Sequence, residues 1–339
     1  MSGSDRVLDT QALSTYLSNH IANFTGEVTA TKFDAGQSNP TYLLTNADNK
    51  YVLRTQPLGK LLKSAHAVDR EYRVLSALAD TNVPVPATLH FCENTEIIGT
   101  MFYIMEFLDG RVMWNPALPD LSKQQRHNIY KEMARVLAEL HSVDIDAVGL
   151  SDFGKPGNYF ERQLGRWTGQ YKASETDTIE EMDTLIEWLA ANMPPDDNQA
   201  SLTHGDFRLD NMMFHPSEER VIALLDWELS TLGHPIADLA YQCMQLRMPQ
   251  DGLMPGLAGT DRAELGIPTE QQYVNWYCEA RGIDEIKNWN FYVAFSFFRF
   301  AAIIQGVLKR AIDGNASSDK AYQMGKQVQP LAKLAMELI

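Results

Sequence analysis

The sequence predicts an α+β protein of two lobes, a small lobe built on an antiparallel sheet and a larger, mainly helical one. Three observations carry this expectation. Short runs rich in β-branched and aromatic residues, separated by turn residues, fill positions 27–107 and are interrupted by one helical stretch. Helical periodicity dominates from residue 122 to the end. At 339 residues the chain also exceeds what a single hydrophobic core usually organises. The boundary is expected near Leu108, giving lobes 1–108 and 109–339.

Residues 8–24 read as an amphipathic helix. The stretch 27–33 is extended, 34–40 is turn-rich, 41–44 is extended again, and Asn46-Ala47-Asp48-Asn49 turns the chain into a strand over 51–54. A helix over 67–79 places Val68, Tyr72, Leu75 and Leu78 on one stripe. Extended runs at 87–92 and 101–107 complete five strands and one helix. Beyond them, Ser122 can cap a helix in which Ile129, Met133, Val136, Leu137 and Leu140 share a face. A helix over 175–191 ends at Met193-Pro194-Pro195. Further helices are expected at 236–248, 270–280, 289–310 and 320–338, with a long Gly- and Pro-rich loop over 249–268.

The composition, 45% hydrophobic and 22% charged, is that of an ordinary globular protein. A net charge of −15 argues against nucleic acid as a partner, because polyanion affinity comes from Lys and Arg neutralising phosphates. The polar first ten residues do not resemble a secretory signal, and no run of about 18 apolar residues is read, so no spanning helix is expected. Cys92, Cys243 and Cys278 are scattered and form no C-x-x-C pair, so they read as buried thiols in a reducing compartment, by default the cytoplasm. Oligomeric state leaves no mark in the sequence.

The chemistry concentrates in His204-Gly205-Asp206, Asn211 five residues after Asp206, and Asp226 directly after the apolar run 221–225. Oxygen-bearing side chains at strand ends are what phosphoryl transfer needs. One group accepts or orients the substrate hydroxyl, and two hold a metal ion against nucleotide phosphates. The pattern resembles the catalytic and metal-binding loops of the aminoglycoside phosphotransferase and choline kinase family, relatives of the protein kinases. That resemblance implies a two-lobed protein-kinase-like fold and transfer of phosphate from ATP, with Mg²⁺, to a hydroxyl of a small molecule. It makes Asp206 the catalytic Asp and Asn211 and Asp226 the metal ligands. Trp227 and Glu228 follow Asp226 where protein kinases carry Phe-Gly, which argues against a protein substrate. His204 is expected to brace the loop. Asp238, in the segment His234-Pro235-Ile236-Ala237-Asp238, is expected to cap its helix or buttress the loop.

On the nucleotide side the resemblance places Gly36, Ser38 and Asn39 in the loop over the phosphates, although this loop carries one glycine and no G-x-G-x-x-G. Arg54 stands where kinases have a phosphate-contacting Lys, paired with a helical Glu that corresponds to Glu71. A guanidinium suits that role by charge and fork geometry, and Lys60 and Lys63 are nearby alternatives. The backbone near Glu106, Phe107 and Leu108 is expected to meet the adenine edge.

On the acceptor side, Arg162, Arg166 and Lys172 interleave with Tyr159, Phe160, Trp167 and Tyr171, and Arg208 lies inside the catalytic loop. Two readings stand together: these residues meet an anionic substrate, or the aromatics pack in a helix while the cations lie along its surface. The stretches 51–57, 105–110, 161–171 and 204–233 look closest to kinase-like domains found alone or fused to acyl-CoA dehydrogenases. That implies a hydroxyacyl thioester or related hydroxy acid derivative as acceptor. Cationic acceptors such as aminoglycosides or choline would suit the acidic surface better. Rival readings are a catalytically silent nucleotide-binding scaffold, from the sparse glycine loop and Arg54, and a hydrolase using Asp206 and Asp226. The hydrolase reading leaves Asn211 and the small lobe unexplained.

Overall fold

The computed structural model describes residues 8–33, 39–46, 49–57, 67–252, 254–314 and 319–339. The chain forms two compact units, Met1–Arg111 with Met213–Leu229, and Val112–Met212 with Ser230–Ile339. Where the sequence divides the lobes once, near Leu108, the chain returns residues 213–229 to the first unit.

In the first unit, Asp9 caps helix α1 (Thr10–Ser18) by accepting from the Ala12 N–H at 2.9 Å. The helix is shorter than expected, ending at Ser18 with Asn19 as its C-cap, and Asn23 and Gly26 further on adopt left-handed backbone, with φ of 60° and 82°. A five-stranded antiparallel sheet follows, from β1 (Thr29–Lys32), β2 (Thr41–Asn46), β3 (Asn49–Thr55), β4 (Thr88–Cys92) and β5 (Phe102–Glu106), in the order β1-β2-β3-β5-β4. Leu13 and Leu17 of α1 pack with Leu44, Leu53, Phe102 and Ile104 into one core. Helix α2 (Val68–Leu78) buries Val68, Val74, Leu75 and Leu78, and also the charged Glu71. The returning segment adds the strand Val221–Leu224, tied down where the Leu224 N–H donates to Pro84 O at 2.8 Å.

In the second unit, Ser122 and Gln125 close a capping box on helix α3 (Lys123–His141). The 154–174 segment, open between two readings in the sequence, contains helix α4 (Tyr159–Ser174), which buries Tyr159, Phe160, Leu164, Trp167 and Tyr171. Helix α5 (Glu180–Ala191) starts later than expected because Glu175 leaves α4 in extended backbone. The short strands Ser201–Thr203 and Thr231–Gly233 pair antiparallel and bracket the catalytic segment. Helix α6 (Ile236–Leu246) follows, and the described residues of the expected loop include a short helix, α7 (Arg262–Leu265), capped by Asp261. Helix α8 (Glu270–Arg281) has its own Thr269–Gln272 capping box.

Helix α9 (Trp289–Ile312) packs against α4, α5 and α6 and against the last two helices, α10 (Asp319–Gly325) and α11 (Val328–Met336). By length and composition α9 could cross a bilayer, contrary to the sequence reading, yet most of it is buried as the central helix of its unit. The single helix expected over 320–338 is broken after Gly325, where a Cβ would stand 2.6 Å from the Leu308 side chain.

Candidate active site

The two units each carry part of the predicted chemistry. In the first, strand β3 sets Arg54 between Thr41 on β2 and Tyr103 on β5 in the sheet register. Its guanidinium reaches Glu71 on α2, Nε to Oε2 at 2.5 Å, and Asp226, Nη2 to Oδ1 at 2.7 Å. Glu71 is only 1% exposed and also accepts from Asn39 Nδ2 at 2.5 Å and the Tyr103 hydroxyl at 3.2 Å. Three polar side chains, Arg54 on β3, Tyr103 on β5 and Asn39 just before β2, thus share the one carboxylate from α2, and burial of such a charge is tolerable only with this degree of pairing. Burial pushes the Glu71 carboxyl above its usual range, with Arg54 pulling against it. The same burial opposes the Arg54 charge, but Glu71, Tyr103 and Asp226 hold its pKa above the ordinary value.

Asp226 sits at φ +64°, in left-handed backbone that few residues other than Gly, Asn and Asp adopt. The Trp227 indole N–H donates to Leu224 O at 3.1 Å and closes that turn. Glu106 turns its side chain to the Ala87 N–H at 2.8 Å, and Lys50 lies over the Phe107 ring at 5.1 Å. Leu108 is half-buried. Gly36 and Ser38, like Lys60 and Lys63, lie outside the described residues.

In the second unit the catalytic segment is held by its neighbours. Asp238 near the start of α6 is 2% exposed and accepts from the main-chain N–H groups of His204 at 2.6 Å and Gly205 at 2.9 Å. Gly205 has φ +83°, a conformation that favours glycine, and it lets both N–H groups reach one carboxylate. His141 Nε2 approaches Asp238 at 3.3 Å while its Nδ1 meets the Tyr277 hydroxyl at 2.8 Å. Burial raises the Asp238 carboxyl, but His141 and the Gly205 N–H bring it below the usual range. His204 Nδ1 accepts from the Asp206 N–H at 3.3 Å, which braces the turn.

Asn211 Nδ2 donates to the Asp206 carbonyl at 2.8 Å and to its carboxylate Oδ2 at 2.9 Å. Both amide hydrogens are committed, so the Asn211 side-chain oxygen remains as a hard acceptor of the kind Mg²⁺ favours. The Asp226 carboxylate, about a third exposed, is an anionic oxygen donor of the same class. The residues therefore fit a magnesium ion by donor type. Among the described residues no group of three or more His, Cys, Asp or Glu forms a metal cluster.

Arg208 pairs with Asp206 at 3.3 Å and Asp210 at 2.9 Å. Arg162 donates to the carbonyls of Lys155 and Pro156, and Arg166 lies over the Trp167 ring at 5.1 Å. Four residues escaped the sequence reading. Tyr103 follows from the β3–β5 register. His141 and Tyr241 look like ordinary core positions in sequence. Arg299 carried a usable signal, being the sole charged residue in the apolar run 291–304. It donates to Gly205 O at 2.9 Å.

A model of the phosphotransferase enzyme family matches residues 29–274. The chain belongs to that family. It is 48% identical to a Ralstonia eutropha JMP134 protein solved as a candidate aminoglycoside phosphotransferase, with a TM-score of 0.91 over 98% of both chains. A spectinomycin phosphotransferase solved with ADP and spectinomycin shares the fold at 13% identity, with a TM-score of 0.65 over 98% of this chain and all of that one. Acyl-CoA dehydrogenase family member 10 of Mus musculus is 49% identical over 328 residues, 96% of this chain but 31% of that protein's length. The chain thus spans less than half of the curated relatives it matches. The protein-kinase-like fold and the small-molecule phosphotransferase class expected from the motifs both stand.

Proposed function

We propose that this phosphotransferase moves the γ-phosphate of ATP, with Mg²⁺, to a hydroxyl of a small anionic molecule, a hydroxyacyl thioester or related hydroxy acid derivative. The observation that carries the reading is the Asp206–Asn211 pair: an aspartate oriented by an amide whose own oxygen stays open to a metal. In this reading Asp206 orients the acceptor hydroxyl and takes its proton, and Asn211 and Asp226 are the metal ligands. Held by these two residues, a magnesium ion would supply neutralisation of the phosphate charge. Arg54 keeps Asp226 oriented and presents positive charge to the phosphates, in the place of the kinase lysine. The backbone of residues 106–108 meets adenine, and Asn39 supports the phosphate loop through Glu71. We place the protein in a reducing compartment such as the cytoplasm, which suits its three free, buried cysteines.

Support for the anionic acceptor comes from the nearly half-identical relatives named for acyl-CoA dehydrogenases and from the arginines on α4. The Ralstonia structure, solved under an aminoglycoside heading, favours a second reading in which the acceptor is cationic. The test is a panel of hydroxylated acceptors, hydroxyacyl-coenzyme A thioesters against choline and aminoglycosides, assayed for ATP-dependent phosphorylation. Thioester turnover with choline and aminoglycosides inert supports the anionic reading. The reverse pattern replaces it, and no turnover with stabilisation by ATP·Mg²⁺ favours a silent nucleotide-binding protein. Lack of stabilisation by ATP·Mg²⁺ removes the kinase assignment itself.

A further inference from the structure

We propose that Arg299, with Arg166 and Arg162, forms an anion-holding face beside the catalytic loop that anchors the acceptor's charged end, with Arg299 reporting its occupancy to Asp206. This rests on the phosphotransferase reading and names the chemistry of one of its subsites. Arg299 on α9 and Arg166 on α4 both lie over Trp167, with guanidinium-to-ring distances of 5.8 and 5.1 Å. Arg299 lies over the Tyr241 ring as well, at 5.4 Å, and donates to the Gly205 carbonyl at 2.9 Å, one residue before the catalytic aspartate. Arg162 stands one helical turn before Arg166, on the same side of α4. All three cations act on the Tyr159 phenol, whose pKa burial raises and they lower.

The decisive feature is clustering without counter-ions. Several cations of the helical unit sit against carboxylates, Arg208 against Asp206 and Asp210, Arg247 against Glu270, Lys172 against Glu175 and Asp183. Others, such as Arg126 and Arg262, reach main-chain carbonyls. Arg162, Arg166 and Arg299 have no carboxylate within 4.0 Å among the described residues, in a chain carrying −15 overall. Like charges gathered without counter-ions repel, and the aromatic faces of Trp167 and Tyr241 offset only part of that cost. An incoming phosphate or carboxylate would relieve it, and a guanidinium binds either through a two-pronged fork. Arg208, already neutralised, contributes less to this face.

Inorganic phosphate is the probe, titrated onto the protein saturated with Mg²⁺ and a non-hydrolysable ATP analogue so that the nucleotide site is closed to it. At constant ionic strength, phosphate should raise the melting temperature of the parent and change Trp167 emission, a signal that Trp167→Phe removes. Arg166→Gln, at an exposed position, and Arg299→Gln should each weaken phosphate binding about 10-fold or more, the loss expected for one charged hydrogen-bonding partner. Arg299→Lys should recover only part of it. The analogue's own affinity should stay within about 2-fold of the parent in the Arg166 variant. Phosphate binding that is absent in the parent, matched by chloride, or untouched by both Gln variants overturns the proposal. Failure of the analogue to bind the parent would instead remove the underlying kinase reading.

Discussion

Arg54 on strand β3 donates to Asp226, 172 residues further along the chain, at 2.7 Å, while the same guanidinium meets buried Glu71. One cation therefore orients a carboxylate held in left-handed backbone and compensates another that is almost fully buried. Removing it leaves Glu71 uncompensated, which costs more than the pair's net contribution. Arg54→Gln is expected to lose about 3–5 kcal/mol of stability, read by urea unfolding. Adding Glu71→Gln should restore part of that loss, because it removes the stranded charge. A double variant as unstable as the sum of both singles would show that the pair is not coupled.

Asp206 is the proposed base. Asp206→Asn keeps the size of the side chain and the hydrogen bond to Asn211 can re-form through its carbonyl oxygen, so melting temperature and nucleotide binding should change little. Transfer to any acceptor should fall by about 10²–10⁴-fold, the range for losing a positioned general base. Turnover near the parent's would move the chemistry elsewhere.

How much of this was open to reading in the sequence depends on the range of each interaction. Strand and helix identities followed from local periodicity, and Ser122 stood out as a cap, which the structure completes as a capping box with Gln125. The catalytic segment was legible because its residues are consecutive or nearly so. The buttress was only half legible: Asp238 stood out, but its partner His141 lies 97 residues earlier and nothing local marks it. Helix α4 could not be settled because its cations and aromatics satisfy a substrate face and a packed helix equally well. Arg299 was visible as a lone charge in an apolar run, yet its meaning depends on Trp167 and Tyr241 from two other helices.

The metal assignment separates Asn211 from Asp226. Asp226→Ala removes an anionic ligand, whereas Asn211→Ala removes a neutral oxygen and the amide that orients Asp206. The Mg²⁺ concentration giving half-maximal nucleotide binding should rise more in the Asp226 variant. The Asn211 variant should lose more in kcat relative to its loss in Mg²⁺ affinity. Equal Mg²⁺ dependence in parent and Asp226→Ala would take Asp226 out of the site.

His141 gives the protein an acid-side weakness. Its burial holds its pKa below the ordinary histidine value, with Asp238 pulling upward but not enough. In the folded state it therefore stays neutral at a pH where the unfolded chain has already bound a proton. The unfolded state then carries more protons, so stability rises with pH. The contribution is complete above the unfolded value of about 6.5 and fades as pH falls toward the folded one. Buried His234, also lowered by burial, acts in the same direction. His141→Gln cannot titrate and can still place an amide between Tyr277 and Asp238. The parent's unfolding free energy should fall as the pH drops below about 6.5, and the variant's should fall less steeply. Activity measured over the same interval should track that slope, since the group that His141 supports is the carboxylate holding His204 and Gly205. An identical slope in parent and variant would assign the acid sensitivity to other groups.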